Sequence, residues 1–269
     1  MQKECKNEFP EIMGILNVTP DSFSDGNDFF HTNEAITRAI NLFKMGADII
    51  DIGGESTRPN AAPVLVDEEI ARVIPVIEKV KWLVPASKIS VDTMKYDVAR
   101  AALKVGADMI NDVSGLESDS RLSELAAEYN KSLVIMHMKG TPQTMQKNPV
   151  YEDVVREVYD FLNEKVSMAK SAGVKDIYID VGIGFGKTLE HNLELLKHID
   201  EFTKIGAKIL LGISRKSLIG ILTGIENPKD RDVATALMHA VLLRNKIDII
   251  RVHNVELIKM LKTLYDAIS

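Results

Sequence analysis

Eight short runs rich in Ile, Leu and Val recur along this chain, and the stretches between them carry helical rather than strand periodicity. The runs are Ile12–Asn17, Ile49–Gly53, Ile89–Asp92, Met109–Asp112, Leu133–His137, Ile177–Asp180, Ile209–Gly212 and Ile249–Arg251. Between them, segments such as Glu34–Met45 and Tyr151–Ala172 repeat apolar residues with the 3.6-residue period of an amphipathic helix. Strands joined through helices pair in parallel. Eight such units predict an α/β fold of the (β/α)8 barrel type; alternation alone leaves a doubly wound eight-stranded sheet as the alternative. An internal echo strengthens the barrel reading. Lys44-Met-Gly-Ala-Asp48-Ile-Ile-Asp51, Lys104-Val-Gly-Ala-Asp108-Met-Ile-Asn111 and, more faintly, Lys246-Ile-Asp248-Ile-Ile-Arg251 pass from a helix or its end into a buried strand that closes on a polar residue. No Ser/Gly-rich linker interrupts the chain, so one domain over residues 1–269 is expected, with residues 1–11 as a leader before the first strand. Pro75, inside an otherwise helical Asp67–Leu83 stretch, predicts a kink or a late helix start.

Composition narrows the function. A chain of 269 residues with 45% hydrophobic content can bury a large core. Its net charge of -6, without any basic stripe, argues against nucleic acid as a partner. The single cysteine, Cys5, provides neither a disulfide framework nor a thiolate zinc site. Residues 1–10 lack the apolar centre of a signal peptide, and no apolar run nears the roughly 18 residues that span a bilayer. The expectation is a soluble cytoplasmic protein with no membrane partner.

In a barrel of this type the active site gathers at the C-terminal ends of the strands. Those ends read Asn17, Asp51, Asp92, Asn111, His137, Asp180, the Ser214-Arg215-Lys216 string, and Arg251 with His253. Taken singly, an Asp or Asn after a strand is a common turn former. Eight polar ends out of eight are harder to explain so. Asp92, Asn111 and Asp180 suit a flat heterocycle with N–H donors along one edge, because buried carboxylates need donors to face. Lys216, Arg251 and His253, after the last two strands, suit an anion. Of the six histidines only His137 and His253 are placed to face such a site; His31, His191, His198 and His239 read as surface or partly buried.

Two loops are longer or richer in glycine than a plain connection requires. The first strand opens into a polar loop around Asp21 and Phe23, and helical periodicity resumes only near Thr32, whereas a structural βα connection needs about 2 to 6 residues. Gly53-Gly-Glu-Ser-Thr57-Arg58-Pro59 forms a second loop with a polar tip. The run Val181-Gly-Ile-Gly-Phe185-Gly186-Lys187 imitates a nucleotide motif but fails both forms: a P-loop needs Gly at 181, and the dinucleotide fingerprint needs Gly at 187. What remains is a turn that lets backbone approach a ligand and presents Phe185. No nucleophile and base with a known spacing appears, nor any zinc-protease motif.

Five blocks together, Gly14–Gly26, Gly46–Pro59, Ile110–Gly115, Gly182–Lys187, and Ser214–Lys216 with Arg251–His253, resemble the dihydropteroate synthase family of pterin-binding (β/α)8 barrels. Two positions depart from the family pattern, Val181 where Pro is common and Asn254 where Asp is common. The resemblance implies a transferase of folate biosynthesis that condenses (7,8-dihydropterin-6-yl)methyl diphosphate with 4-aminobenzoate, assisted by Mg2+, and is a target of sulfonamides. By the same resemblance Asp92, Asn111, Asp180 and Lys216 hold the pterin ring. Asn17, Arg251 and His253 hold the diphosphate, with Asn17 also a Mg2+ ligand. Phe23, Thr57, Pro59, Phe185 and Ser217 frame the 4-aminobenzoate pocket, and catalytic roles fall to Asp21, Arg58, Lys216, Arg251 and His253. The family further implies a homodimer. The rival readings are a methyltetrahydrofolate-dependent methyltransferase on the same barrel and a non-catalytic pterin- or phosphate-binding barrel.

Overall fold

Eight parallel strands close on themselves in sequence order, β1 (Glu11–Asn17), β2 (Ile49–Gly53), β3 (Lys88–Asp92), β4 (Met109–Asp112), β5 (Ser132–Met136), β6 (Ile177–Asp180), β7 (Lys208–Leu211) and β8 (Ile249–Val252). The computed structural model describes residues 8–19, 28–56, 61–141, 144–145 and 149–269. The crossovers among these residues are α1 (Asp28–Lys44), α2 (Val66–Leu83), α3 (Tyr96–Lys104), α4 (Arg121–Glu128), α5 (Val154–Ala172), α6 (Leu189–Lys197), α7 (Ser217–Thr223) and α8 (Asp232–Leu242), with α9 (Val255–Ile268) after the last strand. Closure of the ring, with β1 paired to β8 from Glu11↔Ile249 onward, decides for the barrel over the open sheet.

Several boundaries differ from the sequence reading. Helix α1 starts at Asp28 rather than Glu34. Helix α5 starts at Val154 rather than Tyr151, because the Asp153 side chain accepts from Arg156 N at 3.1 Å and caps the helix there. Pro75 neither delays nor ends its helix: α2 runs from Val66 through it to Leu83. Strand β5 stops at Met136, so His137 lies just beyond it.

The two-residue period of the strands divides the interior into tiers. Seven buried side chains, one from each of seven strands, form a separate apolar cluster: Met13, Ile49, Met109, Val134, Tyr178, Leu210 and Ile249. This cluster is the barrel's plug. The intervening strand residues, among them Ile50, Ile89, Ile110, Ile135 and Ile179, point outward and join the larger core beneath the helices. One pleat step above the plug, on the same inward parity, stand Asp51, Asn111, Asp180, Gly212 and Arg251. Register brings Asn17, Gly53, Asp92 and Asn111 side by side at the rim.

Candidate active site

The polar tier is cross-linked across the barrel. Arg251 donates from Nε to Asp51 Oδ2 at 2.6 Å and from Nη2 to Asp92 Oδ2 at 2.8 Å. Asn111 Nδ2 donates to the same Asp51 oxygen at 2.9 Å. On the opposite side Asp180 Oδ1 accepts from Gly182 N at 2.8 Å. Lys216 Nζ donates to Ile183 O at 2.5 Å and lies 4.7 Å from the centre of the Phe185 ring. A Cβ built on Gly212 would sit 3.6 Å from Asp180 Oδ2 and 3.9 Å from both Lys216 Nζ and Arg251 Cβ, so these three side chains converge above β7. Asp92, Asn111, Asp180, Lys216, Phe185 and Arg251 are thus brought together, as their strand-end positions predict.

Enclosure sets the protonation of this cluster. Burial and then the neighbouring Asp51 push the Asp92 carboxyl up to about 7, against the pull of Arg251. Burial also raises Asp180, with Lys216 opposing. Lys216 is pushed down to about 8 by burial, although Asp180 favours its charge. Burial works against the Arg251 charge as well, but Asp51 and Asp92 more than offset it and hold the guanidinium above its ordinary value.

The loop between β6 and α6 owes its shape to glycines and one buried lysine. Gly182 has φ +68, and a Cβ there would meet the His137 carbonyl oxygen at 1.8 Å; Gly186 has φ +64 with Lys139 O at 2.4 Å. No other residue fits either place. Lys187 turns inward and donates to His137 Nδ1 at 2.9 Å, His137 O at 3.3 Å and Phe185 O at 3.0 Å. Its role is not legible in the sequence, where it stands as the residue that spoils a motif and as the end of the Gly182–Lys187 block. The signal was a lysine closing a glycine run after an Asp-bearing strand. His137 corrects an expectation: one residue beyond β5 and of outward parity, it is held by Lys187 and set edge-on to Phe161 of α5 at 5.0 Å, away from the mouth. Burial and Lys187 push its ring down to about 2. His239 also departs from the sequence reading, being fully buried on α8.

At the anion end, His253 N donates to Ser214 Oγ at 3.2 Å, and that hydroxyl reaches His253 Nδ1 at 3.0 Å. Which of the two atoms donates in that second bond depends on the tautomer of the ring. Arg215 points elsewhere, forking Asp232 at 2.6 and 2.7 Å. Asn254 uses both ends of its amide: Oδ1 caps α9 at Leu257 N, 3.1 Å away, while Nδ2 donates to Asp232 at 3.2 Å, which an Asp carboxylate could not do. Asn17 ends β1 on the inward parity, half-buried, and Ser217 opens α7 at the surface. Asp21, Phe23, Thr57, Arg58 and Pro59 lie outside the described residues. The root of the second loop is nonetheless visible. Glu55 and the fully buried Glu69 share Lys95, and Arg72 donates to Gly54 O at 2.7 Å.

Comparison with known proteins identifies what the chain and its fold are similar to. Residues 13–253 match the family model described as pterin binding enzyme. The chain is similar to the dihydropteroate synthase of Haemophilus influenzae, 44% identical over 254 residues that cover 91% of this chain and 89% of that protein. Among solved structures it resembles the Xanthomonas albilineans dihydropteroate synthase with 4-aminobenzoic acid (TM-score 0.89, 42% identity, 96% and 93% covered). The same enzyme in complex with 7,8-dihydropteroate superposes with a TM-score of 0.86 at 39% identity, covering 96% and 93%. A Yersinia pestis dihydropteroate synthase with a sulfonamide drug complex matches with a TM-score of 0.88 at 37% identity, covering 96% of this chain and 94% of that one.

Proposed function

This chain belongs to the pterin binding enzymes and stands among the dihydropteroate synthases, and from that premise we propose how its barrel mouth divides the work. The reaction joins (7,8-dihydropterin-6-yl)methyl diphosphate to 4-aminobenzoate. The amine nitrogen bonds to the exocyclic methylene carbon, the carbon–oxygen bond to diphosphate breaks with its electron pair leaving on the anion, and the amine releases one proton. The observation that carries the assignment is the donor and acceptor inventory of the polar tier. Asp92, Asp180 and the Asn111 carbonyl offer acceptors to the N–H-bearing edge of a pterin, and Lys216 offers a donor to a ring acceptor. Phe185, packed on Lys216, forms the wall against which the aryl amine lies. Arg251 and His253 receive the departing anion, where fixed positive charge and N–H groups act on charge as it develops. An aryl amine held over the methylene needs positioning more than activation.

Asn17 suits a magnesium ion. It is an amide on the inward parity of β1 for which no side-chain hydrogen bond is seen among the described residues, and its oxygen is the hard donor this cation takes beside substrate phosphates. When bound, Mg2+ supplies charge stabilisation to the diphosphate oxygens. By the family's pattern Asp21, Phe23, Thr57, Arg58 and Pro59 complete the 4-aminobenzoate side, with Ser217.

The assembly is a homodimer in this reading. Helices α7, α8 and α9 pack side by side, and their outer faces carry Ile221, Val233, Leu237, Val241, Met260 and Leu264, all exposed. Val233, Leu237 and Val241 are 60, 64 and 61% exposed at four-residue spacing, an unbroken stripe along α8 that a second copy would cover. No helix among the described residues is long and apolar enough to cross a membrane, and a reducing cytoplasm suits a chain with one cysteine.

Diphosphate release tests the assignment. It should require the pterin diphosphate, 4-aminobenzoate and Mg2+ together. Release without an aryl amine, or pterin binding with no turnover in the complete mixture, would favour a phosphatase or a non-catalytic binding barrel instead.

A further inference from the structure

Asp51 is the one fully buried carboxylate of the polar tier that the division of labour above leaves without a task. It stands directly on the apolar plug, one pleat step above Ile49, too deep to be the first group a ligand meets. Its Oδ2 nevertheless takes two donors that belong to the proposed substrate contacts: Arg251 Nε at 2.6 Å and Asn111 Nδ2 at 2.9 Å. Its Oδ1 has no hydrogen-bond partner among the described residues. An unpaired buried acceptor costs stability, so Asp51 is poorly explained as a structural residue.

We propose that Asp51 is a positioning residue that sets the polarity of Asn111 and the posture of Arg251, and so determines which edge of the pterin the site accepts. An amide has a donor end and an acceptor end of nearly equal shape. The end fixed by Asp51 must be the donor, because a carboxylate oxygen only accepts. Asn111 therefore turns its Oδ1 toward the mouth and can take an N–H from the ring. The same oxygen pins Arg251 at Nε, which leaves the Nη1 and Nη2 end of the fork as the part that moves between Asp92 and an arriving anion. One buried atom couples the two halves of the substrate site.

The inference rests on the functional reading above and is tested with separate probes for its two arms. Calorimetry with 6-hydroxymethylpterin reads the Asn111 arm, and calorimetry with inorganic diphosphate reads the Arg251 arm. Asp51→Asn presents an amide where both neighbours are donors; each probe should bind about 10-fold more weakly. Asn111→Ala should cost the pterin a similar factor. The double variant should lose no more than Asn111→Ala alone, since Asp51 acts on the pterin through that amide. If the two losses instead multiply, or if Asp51→Asn binds both probes like the wild type, the proposal fails. A merely structural role would lower the melting temperature without this non-additivity. Should Asp51→Asn not fold, neutron diffraction of the wild-type enzyme with 6-hydroxymethylpterin decides the matter: Asn111 Oδ1 toward the ring supports the proposal, and Nδ2 toward the ring overturns it. Failure of the wild type to bind the pterin at all would overturn the functional reading itself, an outcome distinct from equal binding by wild type and variant.

Discussion

Asp180 and Asp92 are both carboxylates at strand ends, yet their surroundings prepare them for different tests. Asp180 already accepts from Gly182 N and faces Lys216, so its remaining capacity is directed at a ring donor. Asp180→Asn turns a donor toward that donor, and pterin affinity should fall about 10- to 150-fold, the worth of one charge-assisted bond of roughly 1.5 to 3 kcal/mol. Calorimetry on the folded variant checks this. Asp92, raised to about 7, and Lys216, lowered to about 8, should give kcat/KM for the pterin substrate a bell shape in pH. Below about 7 Asp92 is protonated and loses an acceptor; above about 8 Lys216 loses its charge. Asp92→Asn should abolish the acid limb while lowering the maximum. Stability runs by the same linkage. Between 3.8 and about 7 folded Asp92 keeps a proton that the unfolded chain has lost, so its contribution to stability falls as pH rises through that window. Lys216 acts oppositely from about 8 to 10.5, where the unfolded chain binds the extra proton and stability rises with pH. Residue identities at these positions were legible in sequence because each polar residue interrupts an apolar run. The role of Asp51 was not, because depth within a barrel follows from register, which sequence does not show.

Elements were readable to the extent that periodicity governs them. The β2, β4 and β6 bounds agree with the runs read from sequence, since each is a short buried run that closes on Gly53, Asp112 or Asp180. Helix starts were not, because capping rather than hydropathy sets them, as Asp153 does for α5. The β6–α6 loop shows the same limit more sharply. Its glycines advertise close backbone approach, but nothing local announces that Lys187 reaches back to the end of β5. That lysine ties the loop carrying Phe185 to a neighbouring strand end, and burial pushes its ammonium well below the ordinary lysine value. Nζ lies within hydrogen-bond reach of His137 Nδ1, His137 O and Phe185 O. Lys187→Met fits the space but makes none of these bonds. The Phe185 wall should then wander, raising KM for 4-aminobenzoate about 10-fold, with a smaller change in KM for the pterin, whose contacts come mainly from strand ends. Steady-state kinetics with each substrate varied in turn checks the asymmetry; equal changes in both would show that the lysine supports the whole mouth rather than the loop.

At the scale of the whole molecule, the barrel presents two faces of opposite character. The mouth is polar, enclosed and held by charges that neutralise one another, whereas the flank formed by α7, α8 and α9 exposes large aliphatic side chains in rows. On α8 the residues Val233, Leu237 and Val241 recur every four positions, and on α9 Met260, Leu264 and Ile268 do the same, so the two rows form one broad apolar surface. A chain with net charge of -6 has enough charge to keep a monomer dispersed, so the rows are not a general consequence of composition. Two copies meeting through this surface would bury it isologously, as a twofold axis requires. Leu237→Asp puts a charge at the middle of the α8 row, where covering it would leave a carboxylate without donors. Sedimentation velocity should find wild-type protein at twice the monomer mass and Leu237→Asp at the monomer mass, with the far-ultraviolet circular dichroism of the folded chain retained for a residue 64% exposed in the single chain. The pterin contacts described here, Asp92, Asn111, Asp180 and Lys216, come together within the single chain, so the monomeric variant should retain pterin binding. A wild-type protein that sediments as a monomer, or a variant that remains dimeric, would show that this flank is not the dimer contact.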